Sequence, residues 1–301
     1  MKDWYNVDLK RDFINQYQGT VAKNTFASLF GRSALMESDL KKDCSQFSLE
    51  QIYDLARSYR SADVSSIRIK MSLLRTYTAF CINNGFSKTK INHYTEIPSD
   101  AYESFIDRKM ASKMRLSKDE VYDILDAFEN ARDKFIILAP YEGIYGADMC
   151  ELLELREKDV LPGNKLRLCT GRIVKISDAL YDIIMDCISE DTAIYGGKEK
   201  KLEKTDRVYK NLVMLIASPP TKESIIRRYY IMREQIGRET LGVKMLFNSG
   251  FLNALDEVVL EKGSFDNSQE EVKAVQERYG NSWSFGRVKR FYKEDQIIAQ
   301  G

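Results

Sequence analysis

The chain has 301 residues, enough for two domains or one large one, and its 44% hydrophobic and 30% charged residues are ordinary for a globular protein. Lys plus Arg number 46 against 45 for Asp plus Glu, so the net charge of +1 does not by itself indicate nucleic-acid binding, and a DNA-binding face requires local segregation of charge. The 17 Tyr and 14 Phe exclude a chain dominated by disorder.

A few further counts narrow the compartment and the kind of site. Five scattered cysteines without a Cys-x-x-Cys pair, no signal-peptide pattern after Met1 and no long apolar run predict a reduced, cytoplasmic protein without a membrane span. The single histidine, His93, lies in a polar stretch, which argues against a histidine-based triad or a multi-histidine metal site. Since no Walker loop or Rossmann glycine pattern is present either, we expect no cofactor and no metal.

The first hundred residues predict a helical domain. Phe26, Leu29 and Phe30 share one helical face, and Gly31 is predicted to end that helix. Ser48 is predicted to cap the next helix, and a third helix runs from 65 to about 83. The basic residues of this third helix face away from its apolar stripe, so they either rest against phosphates or belong to a solvated face. These residues are Arg68, Lys70 and Arg75.

A basic connector is predicted after this domain. Residues 108–115 carry four basic residues and no acidic one, a composition typical of segments that track a phosphate backbone and also of ordinary hydrophilic linkers. We therefore place a helical domain at 1–107, a linker at 108–116 and a second domain at 117–301. Within the linker, Lys113 and Arg115 are candidate phosphate contacts.

The second domain reads as mainly α with a small β-hairpin. Ser117 and Glu120 form a capping box at its start, and an apolar helix follows around 135–139. Strand-like segments at 165–169 and 172–176 flank a Thr-Gly turn. A helix from 221 to about 236 carries four basic residues, which either contact DNA or pair with acidic residues one turn away. They are Lys222, Arg227, Arg228 and Arg233.

The order of these elements resembles the tyrosine recombinase (phage integrase) family. The family pattern Gly-Leu-Arg-x-x-Glu-Leu-x-x-Leu, followed by an acidic residue, is matched in the segment 146–160 by Glu151, Leu152, Leu155 and Asp159. Residues 20–100 resemble the helical core-binding domain that precedes the catalytic domain in this family. The resemblance covers about nine tenths of the chain and implies a two-domain fold that grips duplex DNA from opposite sides.

The same resemblance shows where the family's chemistry is missing. Asp148 stands at the first catalytic arginine, and an aspartate there would repel the scissile phosphate. The family's His-x-x-Arg is matched by Lys244 and Phe247, and the later histidine or tryptophan by Asn281. The nucleophilic tyrosine falls on Arg290. Two further positions stay uncertain: a nucleophile could be found nearby only at Tyr292, and the basic residue nearest the hairpin turn is Arg172.

We therefore expect a non-catalytic, sequence-specific double-stranded-DNA-binding protein, plausibly a phage or prophage repressor that regulates lysogeny. The alternatives are an active but divergent recombinase that uses Tyr292, and a protein-interaction module. An unidentified protein effector and self-association through the segment 288–298 are further expectations, although this tail could equally fold onto its own domain. The candidate DNA contacts are Arg68, Lys70, Arg75, Lys113, Arg115, Arg172, Lys222, Arg227, Arg228, Arg233 and Lys244.

Overall fold

The structure is a computed structural model that describes residues 4–213, 219–238 and 240–299. The chain divides into two compact units, residues 1–112 and 113–301, which we call unit 1 and unit 2. Residues 108–112 of the predicted linker form a short helix of unit 1, and Leu116 is fully buried in unit 2. Among the described residues, no helix combines the length and the apolar character needed to cross a membrane.

Unit 1 is helical, as predicted. Its helices are α1 (Val7–Asn15), α2 (Thr20–Leu40), α3 (Leu49–Ser58), α4 (Val64–Asn83) and α5 (Arg108–Ser112). The predicted cap at Ser48 is confirmed, since Ser48 and Gln51 form a complete capping box at the start of α3. The predicted helix end at Gly31 is wrong: α2 continues through Gly31 to Leu40, because this glycine has no positive φ and the neighbouring residues remain helical.

An aromatic cluster forms the core of unit 1. The ring of Phe13 on α1 meets Phe26 of α2 at 4.8 Å and Tyr77 of α4 at 5.1 Å between centroids, in edge-to-face geometry. An ion pair lies beside this core: the Nζ of Lys10 is 2.5 Å from the carboxylate of Glu37, and both residues are fully buried. Because each charge needs the other when buried, the pair ties α1 to α2.

Unit 2 combines helices with two small sheets. Its helices are α6 (Lys118–Asp126), α7 (Ala131–Tyr141), α8 (Cys150–Leu153), α9 (Asp178–Ser189), α10 (Lys222–Ile236), α11 (Val243–Lys262), α12 (Gln269–Arg278) and α13 (Phe285–Ala299). The predicted capping box of Ser117 and Glu120 is confirmed at α6, and Ser177 caps α9. The fold class, mainly α with small β elements, is confirmed.

The two sheets are antiparallel. One has the strand order β1 (Val160–Leu161), β2 (Lys165–Arg167) and β3 (Ile173–Lys175), so the predicted hairpin is present with one added strand. The other is a hairpin of β4 (Thr192–Tyr195) and β5 (Lys198–Lys201). The sequence of this segment, rich in Lys, Glu and Gly, predicts only an exposed excursion; Asn130 anchors the hairpin to the start of α7 through two hydrogen bonds to the backbone of Ile194.

Helix α7 is the centre of unit 2. Its residues Phe135, Ile136 and Ile137 are fully buried, and α9 and α11 pack against it. Gly250 of α11 lies so close to α7 that an added Cβ would fall 1.7 Å from the carbonyl oxygen of Tyr141. Only glycine permits this approach, which brings the segment 244–250 next to the end of α7.

Candidate nucleic-acid interface

Two of the candidate DNA contacts in unit 1 are exposed on α4. Arg68 lies with its guanidinium 5.2 Å from the ring centroid of Tyr102 and donates a hydrogen bond to the carbonyl of Ser99. Arg75 makes a long 3.4 Å hydrogen bond to Ser72. Both guanidinium groups therefore have a defined position on the surface of α4, as a phosphate contact requires.

Lys70 lies in a groove between α2 and α4. The groove has a volume of about 530 Å³ and includes Arg32, a cation that the sequence analysis does not single out. The Nζ of Lys70 is 2.6 Å from Ser61 Oγ and 5.4 Å from the ring centroid of Tyr59. Burial and the positive charge of Arg32 lower the pKa of Lys70. Two neighbouring cations in a groove lined by polar side chains make this a candidate anion site.

Asparagine, threonine and serine side chains provide the polar part of this groove. Such groups hydrogen-bond either to phosphates or to base edges, while exposed apolar groups such as Val21 and Ile69 can contact thymine methyls. The polar lining residues are Asn24, Thr25, Ser28 and Ser66. Sequence reasoning missed the α2 side of the groove because its pattern reads only as one face of an amphipathic helix.

Arg115, predicted to be a linker contact, is instead part of an internal ion cluster of unit 2. Its guanidinium donates to Asp256 on α11 and Asp295 on α13, and to Asn253 at 2.7 Å. Burial alone would lower the pKa of Arg115, but the two carboxylates outweigh it and raise that pKa. With all of these partners in place, Arg115 holds α11 and α13 together, and we remove it from the set of DNA contacts.

Arg228 is also turned inward. Its guanidinium binds both carboxylate oxygens of Asp133 at 2.7 and 2.5 Å and lies 5.4 Å from the ring centroid of Tyr195. The two charged side chains are only 9% and 0% exposed. A bidentate pair at this depth connects α10 to α7, so Arg228 too is removed from the set.

Arg233, on the same helix, is half-buried. Its Nε donates to the carbonyl of Leu241 at 2.6 Å, and its guanidinium lies 4.9 Å from the ring centroid of Tyr230. These contacts hold the chain that follows α10 in place. The outer face of the guanidinium remains available, because the residue is only partly covered.

Three other predicted contacts in unit 2 are exposed. They are Lys113, Arg227 and Lys244. Within 4–213, 219–238 and 240–299, no ion pair is found for any of their side chains. Arg227 and Lys244 can therefore offer a full positive charge to a phosphate.

Lys222 pairs with Asp148, the residue at the position of the family's first arginine. The Nζ–Oδ1 distance is 2.6 Å, and the side chains are 43% and 83% exposed. Asp148 has a positive φ of 51°, which projects it from the turn before α8. The lysine lowers the pKa of Asp148, so the carboxylate stays charged. One positive and one negative charge thus stand where the family has a guanidinium.

Phe247 and Asn281 occupy the next two positions of the family's catalytic pattern. The Phe247 ring packs between Tyr145 and Tyr279, with both centroids 5.4 Å away. The side chain of Asn281 accepts a hydrogen bond from the backbone N–H of Trp283 at 2.8 Å and so shapes the turn before α13. Both side chains therefore make structural contacts.

Tyr292, the one nearby tyrosine considered as a nucleophile, lies on the inner face of α13. It is 8% exposed, stacks on Phe265 and donates a 2.7 Å hydrogen bond to Asp256. Burial and the Asp256 carboxylate raise its pKa, which disfavours the phenolate. Through Val288 and Tyr292, α13 packs on its own unit, while self-association through 288–298 stays a prediction; the side chains of 297 and 298 lie outside the described residues.

Arg172 follows the hairpin turn and points into the interior edge of unit 2. It donates to both oxygens of Glu151 at 3.0 and 2.6 Å and to the carbonyl of Gly143 at 3.1 Å. It also donates to the carbonyls of Glu277 and Arg278 at the end of α12. These bonds join the hairpin, α8 and α12, and they leave only a 19% exposed side chain for a phosphate.

The hairpin β4–β5 adds cations that the sequence analysis does not include. Lys198, Lys200 and Lys201 are exposed, and the pairing of Lys198 with Tyr195 places this lysine on the face that carries the Arg228 contact. The hairpin is hidden in the sequence because a stretch of alternating Lys and Glu gives no period-2 apolar pattern.

Comparisons with known proteins place the chain in a family. Residues 4–83 match the family "MrpR, N-terminal core-binding domain" and residues 115–299 match "MrpR, C-terminal catalytic domain". A SPbeta prophage-derived uncharacterized protein, YopR of Bacillus subtilis (strain 168), is 26% identical over 207 residues, which cover 65% of this chain and 62% of that protein. The chain therefore spans about three fifths of this relative's length.

A solved structure gives a more distant likeness. In the lambda integrase tetramer bound to a Holliday junction, the similar region covers 97% of this chain and 77% of the integrase chain, with 14% identity and a TM-score of 0.47. The assignment rests on the two family matches, which together extend over both units. The chain belongs to the MrpR family of tyrosine-recombinase-like proteins.

Proposed function

We propose that this protein is a non-catalytic, sequence-specific double-stranded-DNA-binding protein that acts as a transcriptional repressor or regulator in a prophage. The observation that carries the proposal is the Lys222–Asp148 pair at the position of the family's first arginine. Phosphodiester cleavage needs positive charge there to stabilise the transition state, whereas a lysine neutralised by a carboxylate adds almost no net charge. Such a role places the protein in the cytoplasm, together with the DNA.

The surroundings of this pair support the absence of cleavage. Phe247 is apolar where a second guanidinium is required, and Tyr292 is buried with its hydroxyl held by Asp256. Removing several transition-state contacts together eliminates most of the catalysis, even when the scaffold is retained. The prophage origin of the relative YopR supports a role in prophage regulation.

The exposed cations support binding to DNA. Unit 1 offers the groove with Arg32 and Lys70 and the exposed Arg68 and Arg75, and unit 2 offers Arg227 and further lysines. Lysines supply mainly the salt-dependent phosphate contribution, whereas arginines in a groove can also read guanine edges. A chain with a net charge of +1 thus keeps local positive surfaces, because many of its carboxylates are used in internal ion pairs.

The test is selection of fragments from the source genome by the purified full-length protein, followed by sequencing of the bound DNA. We expect enrichment of a defined duplex site, with a Kd that rises steeply with salt. Arg32→Ala and Arg227→Ala should each weaken binding to that site, while Arg57→Ala, an exposed arginine paired with Asp54, should not. Equal recovery of all fragments at low salt would refute sequence specificity, and recovery of none would favour a protein-interaction module.

A further inference from the structure

Two cysteines of unit 2 lie side by side. The thiols of Cys150, at the start of α8, and Cys169, just after β2, are within hydrogen-bonding contact. The next residue along each segment repeats the pairing, since Thr170 donates a 2.6 Å hydrogen bond to Glu151. Two successive side-chain pairs therefore hold the same two segments together, and the sulfur–sulfur approach follows from that backbone placement.

This pair differs from the remaining cysteines in its access to solvent. Cys169 is exposed and Cys150 is partly buried, whereas Cys44, Cys81 and Cys187 are buried. A small oxidant in solution can thus reach a thiol of the pair, and a second thiol is in place to react with the product. Accessible thiols with a neighbouring resolving cysteine are the arrangement that favours disulfide formation over further oxidation.

We propose that Cys150 and Cys169 form a dithiol site that a peroxide oxidises to a disulfide, linking α8 to the turn of the β2–β3 hairpin. One thiolate attacks a peroxide oxygen, the O–O bond breaks, and a sulfenic acid and one water form. The second thiol then displaces the hydroxyl of the sulfenic acid as a second water. Two electrons pass from the sulfurs to hydrogen peroxide, and one S–S bond replaces two S–H bonds.

The electrostatics of the pair set its pH dependence. Partial burial of the sulfur and the hydrogen bond to Cys150 raise the pKa of Cys169 to about 12. Cys169 therefore keeps its proton at neutral pH, and the rate of oxidation should rise with pH, because the thiolate is the reactive form. The site does not depend on DNA binding, so its test is separate from that of the proposed function.

The experiment treats the folded, reduced full-length protein with hydrogen peroxide, blocks the remaining thiols with N-ethylmaleimide and maps disulfide-linked peptides by mass spectrometry. We expect one linked pair, Cys150 with Cys169, that dithiothreitol reverses. Since the link restrains the unfolded chain, the melting temperature should rise by about 5 °C. Singly oxidised Cys169 without a link would overturn the proposal.

Three variants sharpen this result. Cys169→Ser and Cys150→Ser each remove one sulfur and should abolish both the linked peptide and the rise in melting temperature. Cys187→Ala, in the same unit but buried, should retain both. A link that persists in Cys169→Ser would show that a different pair reacts, and this too would contradict the assignment.

Discussion

The Nζ atom of Lys222 at the start of α10 lies 2.6 Å from Oδ1 of Asp148, 74 residues earlier in the chain. The hydrogen bond and the positive charge of the lysine lower the pKa of Asp148, and the carboxylate in turn raises the pKa of Lys222. Both groups are therefore ionised over the whole physiological range of pH. Their charges offset each other, so a phosphate arriving at this point meets a neutral pair instead of a guanidinium.

Asp148→Arg should tighten binding to duplex DNA, because the change removes a negative charge and leaves Lys222 without its internal partner. The dependence of log K on log salt should become steeper by about 1 for each phosphate that the variant additionally neutralises. Asp148→Asn is the matched control, since it removes the charge without adding a cation, and its affinity should fall between the two. Filter binding across a salt series measures all three, and weaker binding by Asp148→Arg would contradict the account.

The neighbours Arg227 and Arg228 should separate binding from stability. Arg228→Ala leaves Asp133 charged and buried and should lower the free energy of unfolding by about 3–5 kcal/mol. Arg227→Ala should change stability by less than about 0.5 kcal/mol and weaken specific DNA binding by about 1–3 kcal/mol. Urea denaturation and DNA titration on the same preparations measure both effects. The opposite assignment, with a stability loss in Arg227→Ala, would show that α10 is rotated.

The lowered pKa of Lys70 predicts a pH effect on DNA binding. Burial and the charge of Arg32 lower this pKa below the ordinary value of 10.5. The folded protein binds fewer protons than the unfolded chain between these two pKa values, so rising pH through that window stabilises the fold with respect to this group. The same loss of charge weakens phosphate binding.

Lys70→Arg provides the comparison, because an arginine stays protonated throughout. Affinity for the selected site should fall between pH 8 and about 10 in the wild type and fall less in Lys70→Arg. Arg75→Lys, exposed on the same helix, serves as the control for general effects of alkaline pH. Parallel curves for wild type and Lys70→Arg would remove Lys70 from the interface.

Tyr292→Phe tests whether the buried phenol has only a structural role. Asp256 would lose one hydrogen bond of 2.7 Å while it keeps those from Arg115 and Gln296, so the free energy of unfolding should fall by about 1 kcal/mol. DNA affinity should stay unchanged. Denaturation and titration of this variant measure both, and a large loss of affinity with intact stability would show that the hydroxyl contacts DNA.

The local parts of the fold could be predicted from the sequence. The capping boxes at Ser48 and Ser117 depend on residues three positions apart, and the apolar stripes of α4 and α6 repeat at helical spacing. The same spacing could have identified Arg228 as buried, because it falls between Ile225 and Met232, which face the core of unit 2. Its basic character is a weaker guide than its position on the helix.

Long-range partners could not be predicted in this way. Asp133 is 95 residues from Arg228, and Asp256 is 141 residues from Arg115, so no local pattern relates them. The cation Arg32 becomes important only because α2 and α4 come together to form the groove with Lys70. Positions of single cations on helices were thus predictable, whereas their orientation towards solvent or towards a buried carboxylate depended on the tertiary fold.

The most direct test of the central claim is covalent trapping on the selected DNA site. The wild-type protein is incubated with duplexes that carry a nick on either side of the site's centre, and the products are separated under denaturing conditions. We expect tight binding before denaturation and no protein–DNA adduct after it. An adduct that disappears in Tyr292→Phe would contradict the account and identify the protein as an active recombinase.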